Sequence, residues 1–322
     1  MRSLPWGKLA YAAGGLGVVA LIGWYGAAAI GAEVVQAAWA LPPILGIHAA
    51  TQWLSAIAWR WAVGVRHPGL GRWFGIRIIR ESVNGLLPVA QLGGNVVGIR
   101  LLMQRGVGGT DATAGTTIDV TIEAASQLVF TLLGILVLAL VTTSDTSPWQ
   151  TPWVQASLAL MALALAAFLV MQHTAGLRLI EWVAGPLTRI FPRFSLDVVR
   201  RLFAALHERQ RQPGMLAKAT VLHLLAWLVG VGETWIALHA MGHQGGLAEA
   251  LVIESLAVAV RGAAFAVPGG LGVQEAGFIL IGALFDVPAD QAIALSMLKR
   301  LRELAFGVPG LLAWQWLEVR RT

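Results

Sequence analysis

A chain of 322 residues that is 57% hydrophobic and 12% charged, with mean hydropathy +0.70, is an integral membrane protein; a soluble domain would be about one-quarter charged. It has no cysteine, which excludes disulfides and thiolate metal sites, and no polar stretch is long enough for a soluble catalytic domain of roughly 100 residues. The net charge of +6 follows from where the arginines lie and is no signal for nucleic acid.

The first apolar run spans 9–30. Arg2 and Lys8 precede it and AAAIGA resembles a cleavage site, but about 22 apolar residues exceed a signal-peptide core of ~7–15, so the run is expected to span. A second span is expected over 39–65. Next comes Glu81–Arg105, ESVNGLLPVAQLGGNVVGIRLLMQR, interrupted at Pro88 and at Gly93 and Gly94. Spans over 112–142 and 153–173 complete a first half, 1–173. A polar connector, 174–216, contains SLDVVRRLFAALHERQR, whose Leu196, Val199, Leu202, Phe203 and Leu206 share one helical face. That pattern predicts an amphipathic helix on the cytoplasmic leaflet. The second half, 217–322, has a span at 217–241, an interrupted segment Glu254–Phe285 centred on Pro268, Gly269, Gly270 and Gly272, and a last span at 289–317. The expected fold is all-α: one transmembrane domain over 1–322, with six spanning helices and two re-entrant helical hairpins.

The basic residues set the expected topology. Arg2, Lys8, Arg66, Arg72, Arg77, Arg80, Arg105, the arginines of the connector, Lys218, Arg320 and Arg321 all fall on one side, whereas the opposite loops carry Glu33, Asp145, Glu249, Asp286 and Asp290. By the positive-inside rule both termini are cytoplasmic. The two hairpins then enter from opposite faces, as an inverted repeat with Pro88 matching Pro268. The same offset of about 180 residues places Asn95 on Glu275, Asp119 on Lys299 and Glu123 on Glu303. Trp24, Trp39, Trp149, Trp153, Trp182, Trp235, Trp314 and Trp316 lie near span ends, as in an aromatic belt.

Asp119 and Glu123 are one helical turn apart, and Gln127 continues their face. Lys299 and Glu303 repeat the spacing beside Arg300 and Arg302. A charge at a helix centre costs ~2.5–3.5 kcal/mol on insertion scales, so these groups, with Arg261 and Glu275, must face one another or water. They form either a polar cavity for a charged headgroup or static ion pairs such as Glu123 with Arg300. The glycines after Pro88 and Pro268 would offer backbone N–H groups at half-helix N-termini to a phosphate or carboxylate. His239 and His243 have the spacing of two metal ligands but no third nearby, so no metal is expected. Glu233, near the outer end of its span, reads as interfacial or cavity-lining. No nucleophile–base arrangement or nucleotide motif is present, so neither enzyme activity nor a cofactor is expected.

Three runs carry a resemblance: Asn84, Leu87 and Pro88 followed by Gly93, Gly94, Arg100, Leu101 and Leu102; Pro268 to Glu275, PGGLGVQE; and the charged span after each. They resemble the flippase-like membrane family that includes the transmembrane part of lysylphosphatidylglycerol synthase. LLPVAQLGGNVVGIRLL and SMLKRLRELAFGVPGLL are most similar to its hopanoid-biosynthesis-associated branch. Many members carry Glu where this chain has Asn95. The resemblance implies movement of an amphipathic lipid between leaflets of a bacterial inner membrane; the alternative is a non-transporting scaffold for lipid-synthesis enzymes. Membrane lipids are the expected partners, with lipid-biosynthesis enzymes as further candidates. The expected translocation residues are Asn84, Pro88, Gln91, Asn95 and Arg100 in the first segment and Asp119 and Glu123 after it. In the second half they are Arg261, Pro268, Gly269, Gly270, Gly272, Gln274 and Glu275, then Lys299, Arg300, Arg302 and Glu303. The arginines and Lys299 would hold an anionic headgroup, and the carboxylates would balance them or carry protons.

Overall fold

The computed structural model describes residues 16, 19–87, 93–141, 163, 196–263 and 270–319. Among these the chain is helical throughout, with no strand. Expectations that fall on Pro88, Gln91, Pro268, Gly269, the span 153–173 (Leu163 apart), the connector before Leu196 and the chain ends lie outside the described residues.

The expected first span does not run straight through to Ile30. Helix α1 (Val19–Tyr25) and α2 (Ala27–Gln36) meet at an angle of 93°. The turn sits at Gly26, whose φ of 93° no side-chain-bearing residue adopts readily. Helix α3 (Leu41–Val63) starts on Pro42 and Pro43, which lack the N–H that a first turn leaves unused, and stops at left-handed Gly64. Helix α4 (Leu70–Leu86) begins well before Glu81. It ends where Leu87, ahead of Pro88, is extended, as the pyrrolidine ring demands of its predecessor. Helix α5 (Gly93–Met103) packs back on α4, and α6 (Gly109–Val141) follows.

The second set begins with α7 (Leu196–Gln210), α8 (Pro213–Ala240), α9 (Leu247–Ala263), α10 (Val273–Gly282) and α11 (Ala289–Val319). It repeats the first in order and length. Helices α4 and α9 are both 17 residues, α5 and α10 are 11 and 10, and α6 and α11 are 33 and 31. The packing repeats as well: α4 lies on α11 as α9 lies on α6, and α2 packs on α11 as α7 packs on α6. At the centre α3 and α8 run antiparallel, with Ile47 against Gly232 and Thr51 against Gly230, and Lys218 over the Trp61 ring.

Two of the helices, α6 and α8, are long and apolar enough to cross a membrane, and the bent α1–α2 pair qualifies as a broken third. Helices α3 and α11 are long enough, but polar residues lower their hydropathy. Among those residues His48, Gln52, Lys299, Arg302 and Glu303 face inward, onto the site described below, while the outer surface carries Leu140, Leu280 and Leu312, each at least 60% exposed. In water such a surface would be a liability; against lipid it is the expected one.

The crossings between the two sets are tight in the same way. A Cβ at Gly134 of α6 would lie 1.8 Å from Ser255 Oγ of α9, and one at Gly310 of α11 would lie 2.0 Å from Ser82 Oγ of α4. Gly134→Ala and Gly310→Ala should each lower the unfolding temperature in detergent, at an overpacking cost of about 1–3 kcal/mol. Combining Gly134→Ala with Ser255→Gly should recover most of the loss.

Candidate functional site

Helices α3, α4, α5, α6, α8, α9, α10 and α11 line a cavity of about 480 Å³, within the ~300–1,000 Å³ of small-molecule sites. Five basic and five acidic side chains line it: Arg77, Arg80, Arg261, Lys299 and Arg302 against Glu81, Glu123, Glu233, Glu254 and Glu303.

The first cluster joins α4, α6 and α8. One helical turn separates Arg77 from Arg80 closely enough that both face α6, and each is only 2% exposed. Arg77 donates to both oxygens of Glu123 through its two terminal nitrogens, at 2.6 and 3.3 Å. Arg80 Nη1 donates to Asp119 Oδ2 at 2.7 Å and stacks over the Trp59 ring. His223 Nε2 on α8 lies 3.0 Å from the other Asp119 oxygen. Glu81 lies within 3.7 Å of both arginines. Asp119, Glu123 and His223 could by position hold a metal ion, their ligand atoms lying within 4.8 Å of one another. The two guanidiniums already neutralise both carboxylates, so the donor set does not suit a cation.

A second cluster joins α3, α8, α9 and α11. Glu233 accepts from Arg302 and from His48 Nδ1 at 3.2 Å. Lys299 Nζ sits 2.8 Å from Glu254, which also accepts from the Thr234 hydroxyl. Arg261 Nη1 binds Glu303 at 2.8 Å and the Gln274 carbonyl oxygen at 2.9 Å.

The clusters correspond with their signs exchanged. The starts of α4 and α9, and of α6 and α11, place Arg77 opposite Glu254 and Asp119 opposite Lys299 in the repeat. Arg77 and Asp119 lie 3.7 Å apart, and Glu254 and Lys299, with reversed polarity, lie 2.8 Å apart.

Of the residues named from sequence, Asn84, Asn95, Glu123, Arg261, Gln274, Lys299, Arg302 and Glu303 line this cavity. Asp119 lies directly behind it, fully buried. Arg100 does not reach it: at the end of α5 it is 61% exposed and pairs with Glu318. Glu275 and Arg300 pair with each other at 2.7 Å beside Ser296 rather than lining the cavity. The expected pairing of Glu123 with Arg300 is absent; each has a nearer partner.

At two described glycines of the expected backbone anion sites, the N–H is already bonded from within. Gly272 N–H donates to Glu275 Oε2 at 2.8 Å, so the α10 N-terminus is capped by its own third residue. Gly94 N–H donates to Asn84 Oδ1 at 2.8 Å, capping α5 in the same manner. Gly94 is required by proximity: a Cβ there would lie 2.0 Å from the Arg80 carbonyl oxygen. Gly270, at φ +60°, lies under the Arg261 side chain. His239 packs at a tilt against the Trp235 ring and His243 binds Glu249, so these two histidines have separate partners.

Sequence reading missed Arg77, Arg80, His48, His223 and Glu254, and left Glu233 undecided. The sequence alone places Arg77 and Arg80 among the one-sided basic residues that follow the second expected span. The available signal was their spacing with Asn84 on one face of α4.

The model of the lysylphosphatidylglycerol synthase TM region matches residues 10–310. The chain belongs to that family. A UPF0104 membrane protein of Methanothermobacter thermautotrophicus is 23% identical over 265 residues, covering 77% of each chain. No solved structure matches the chain. Members of this family are membrane proteins, and the apolar helices and inward charges described here are those of one.

Removing one member of a buried pair costs about 3–5 kcal/mol, because its partner is stranded. Glu254→Gln should therefore destabilise strongly in a detergent thermal melt. Adding Lys299→Met, which removes the stranded ammonium, should bring the melt back toward that of the native protein.

Proposed function

We propose that the protein moves an amphipathic lipid between the leaflets of a bacterial inner membrane, its polar headgroup passing through the charged cavity while the apolar part stays in lipid. The observation that carries this reading is the cavity itself: a headgroup-sized space lined with five arginine or lysine and five glutamate side chains inside a membrane protein. Static pairing needs no such space, since well-packed pairs are cheaper without it. Under this reading the α4–α5 and α9–α10 hairpins are re-entrant, entering from opposite faces among six spans, and both termini are cytoplasmic. The α3–α8 antiparallel core and the repeated packing support that arrangement.

The ion pairs revise how a headgroup would be held. No lining cation waits for an anion, because Arg77, Arg80, Arg261, Lys299 and Arg302 each already face a carboxylate. A ligand must compete for them. The resemblance to the hopanoid-associated branch adds polycyclic lipids to the cargoes to be tested. A scaffold role would instead use the exposed Arg200 and Arg201 of α7.

The deciding experiment reconstitutes the purified protein in liposomes with headgroup-labelled lipid and follows loss of the inner-leaflet pool to an impermeant quencher. Accelerated exchange that Arg302→Ala abolishes supports transport. Exchange no faster than in protein-free liposomes overturns it in favour of the scaffold. The topology has its own test, with a background free of native cysteine. Gln244→Cys should react with an impermeant maleimide from outside intact cells, and His207→Cys only after lysis.

A further inference from the structure

Every arginine and lysine lining the cavity already faces a carboxylate, and this restricts what can enter. A purely anionic headgroup would take a guanidinium from its carboxylate and strand the carboxylate in a poorly hydrated space. A purely cationic headgroup would strand an arginine. A headgroup bearing both charges avoids either penalty. Its anion replaces a carboxylate on the arginine, and its cation takes up the carboxylate released.

The pair built for this exchange is Arg77–Glu123. Arg77 is buried, and it presents its two terminal nitrogens to Glu123 in a fork that a phosphate would accept equally well. Glu123 is the softer partner, with 26% of its side chain exposed, and Glu81 beside it is 35% exposed. The other arginine of the cluster, Arg80, keeps its own buried partner in Asp119 throughout. At the opposite wall Arg261 and Glu303 form a second pair of the same kind, partly exposed on both sides.

Resting on the lipid-headgroup reading, we propose that the cavity binds a zwitterionic phospholipid headgroup by ion-pair exchange, its phosphate on Arg77 and its ammonium on Glu123.

The test measures binding and transport separately. Native mass spectrometry of the full-length protein in detergent, titrated with phosphatidylethanolamine and with phosphatidylglycerol, should show at least tenfold preference for the zwitterionic lipid. Glu123→Gln should reverse or abolish that preference, because it frees the Arg77 guanidinium for an uncompensated phosphate and removes the acceptor for the ammonium. A merely structural role for Glu123 would weaken both lipids alike. If Glu123→Gln does not fold, Glu123→Asp, which keeps the charge but draws the carboxylate back, should lower the preference for the zwitterionic lipid. Equal binding of the two lipids, a native preference for phosphatidylglycerol, or a preference unchanged in the variants would overturn the exchange. Flipping of the same lipids in liposomes is read independently. Preferential binding of the zwitterionic lipid without flipping sinks the transport reading and leaves the exchange standing; flipping of phosphatidylglycerol as fast as phosphatidylethanolamine, without selective binding, does the reverse.

Discussion

A charge held away from water must meet an opposite charge, and in this protein that requirement is met repeatedly around one cavity. Coulomb attraction strengthens as the dielectric falls, but so does the cost of leaving water, and only close, hydrogen-bonded pairs recover it. Arg77 on Glu123, Arg80 on Asp119, Arg302 on Glu233 and Lys299 on Glu254 are such pairs. They dictate which faces of α4, α6, α8, α9 and α11 turn inward, and therefore leave the leucines and valines of those helices to the outside.

The same pairing explains which parts of the fold could be read from sequence. Helices α6 and α8 announce themselves by long apolar stretches, and the one-turn spacings of Asp119 with Glu123 and Lys299 with Glu303 point to an inward face. Helix α4 was harder. Its run LGRWFGIRIIRESVNGL looks like a basic connector, because composition records three arginines without recording that two of them are neutralised by residues some 40 positions away. Glu233, Glu254, His48 and His223 stand singly in apolar helices, where no local pattern identifies a partner. Arg100 misled in the opposite direction: apolar neighbours surround it in sequence, yet its place at the end of α5 brings it to the surface.

Glycine had two meanings that spacing does not separate. The pair at Gly93 and Gly94 has the look of an anion-binding turn, but Gly94 is there because the Arg80 carbonyl leaves no room for a side chain. Close packing of two helices and close approach to a ligand call for the same residue, and only the neighbour distinguishes them. Gly134 and Gly310 mark no motif at all, although they are where the two sets of helices cross most tightly.

The separations along the chain bear on how the protein is made. Every ion pair lining the cavity closes within 69 residues: Arg77 with Glu123 over 46, Arg261 with Glu303 over 42, and Arg302 with Glu233 over the full 69. The contacts that bind the two sets of helices are far longer, as between Gln127 and Val258 over 131 residues and Ser82 and Phe306 over 224. A chain synthesised from its N-terminus thus completes the charge pairs of its first half before α11 exists. What the ribosome hands to the membrane midway already has the carboxylates of α6 matched to the arginines of α4, and the late helices bring a second such set that pairs within itself.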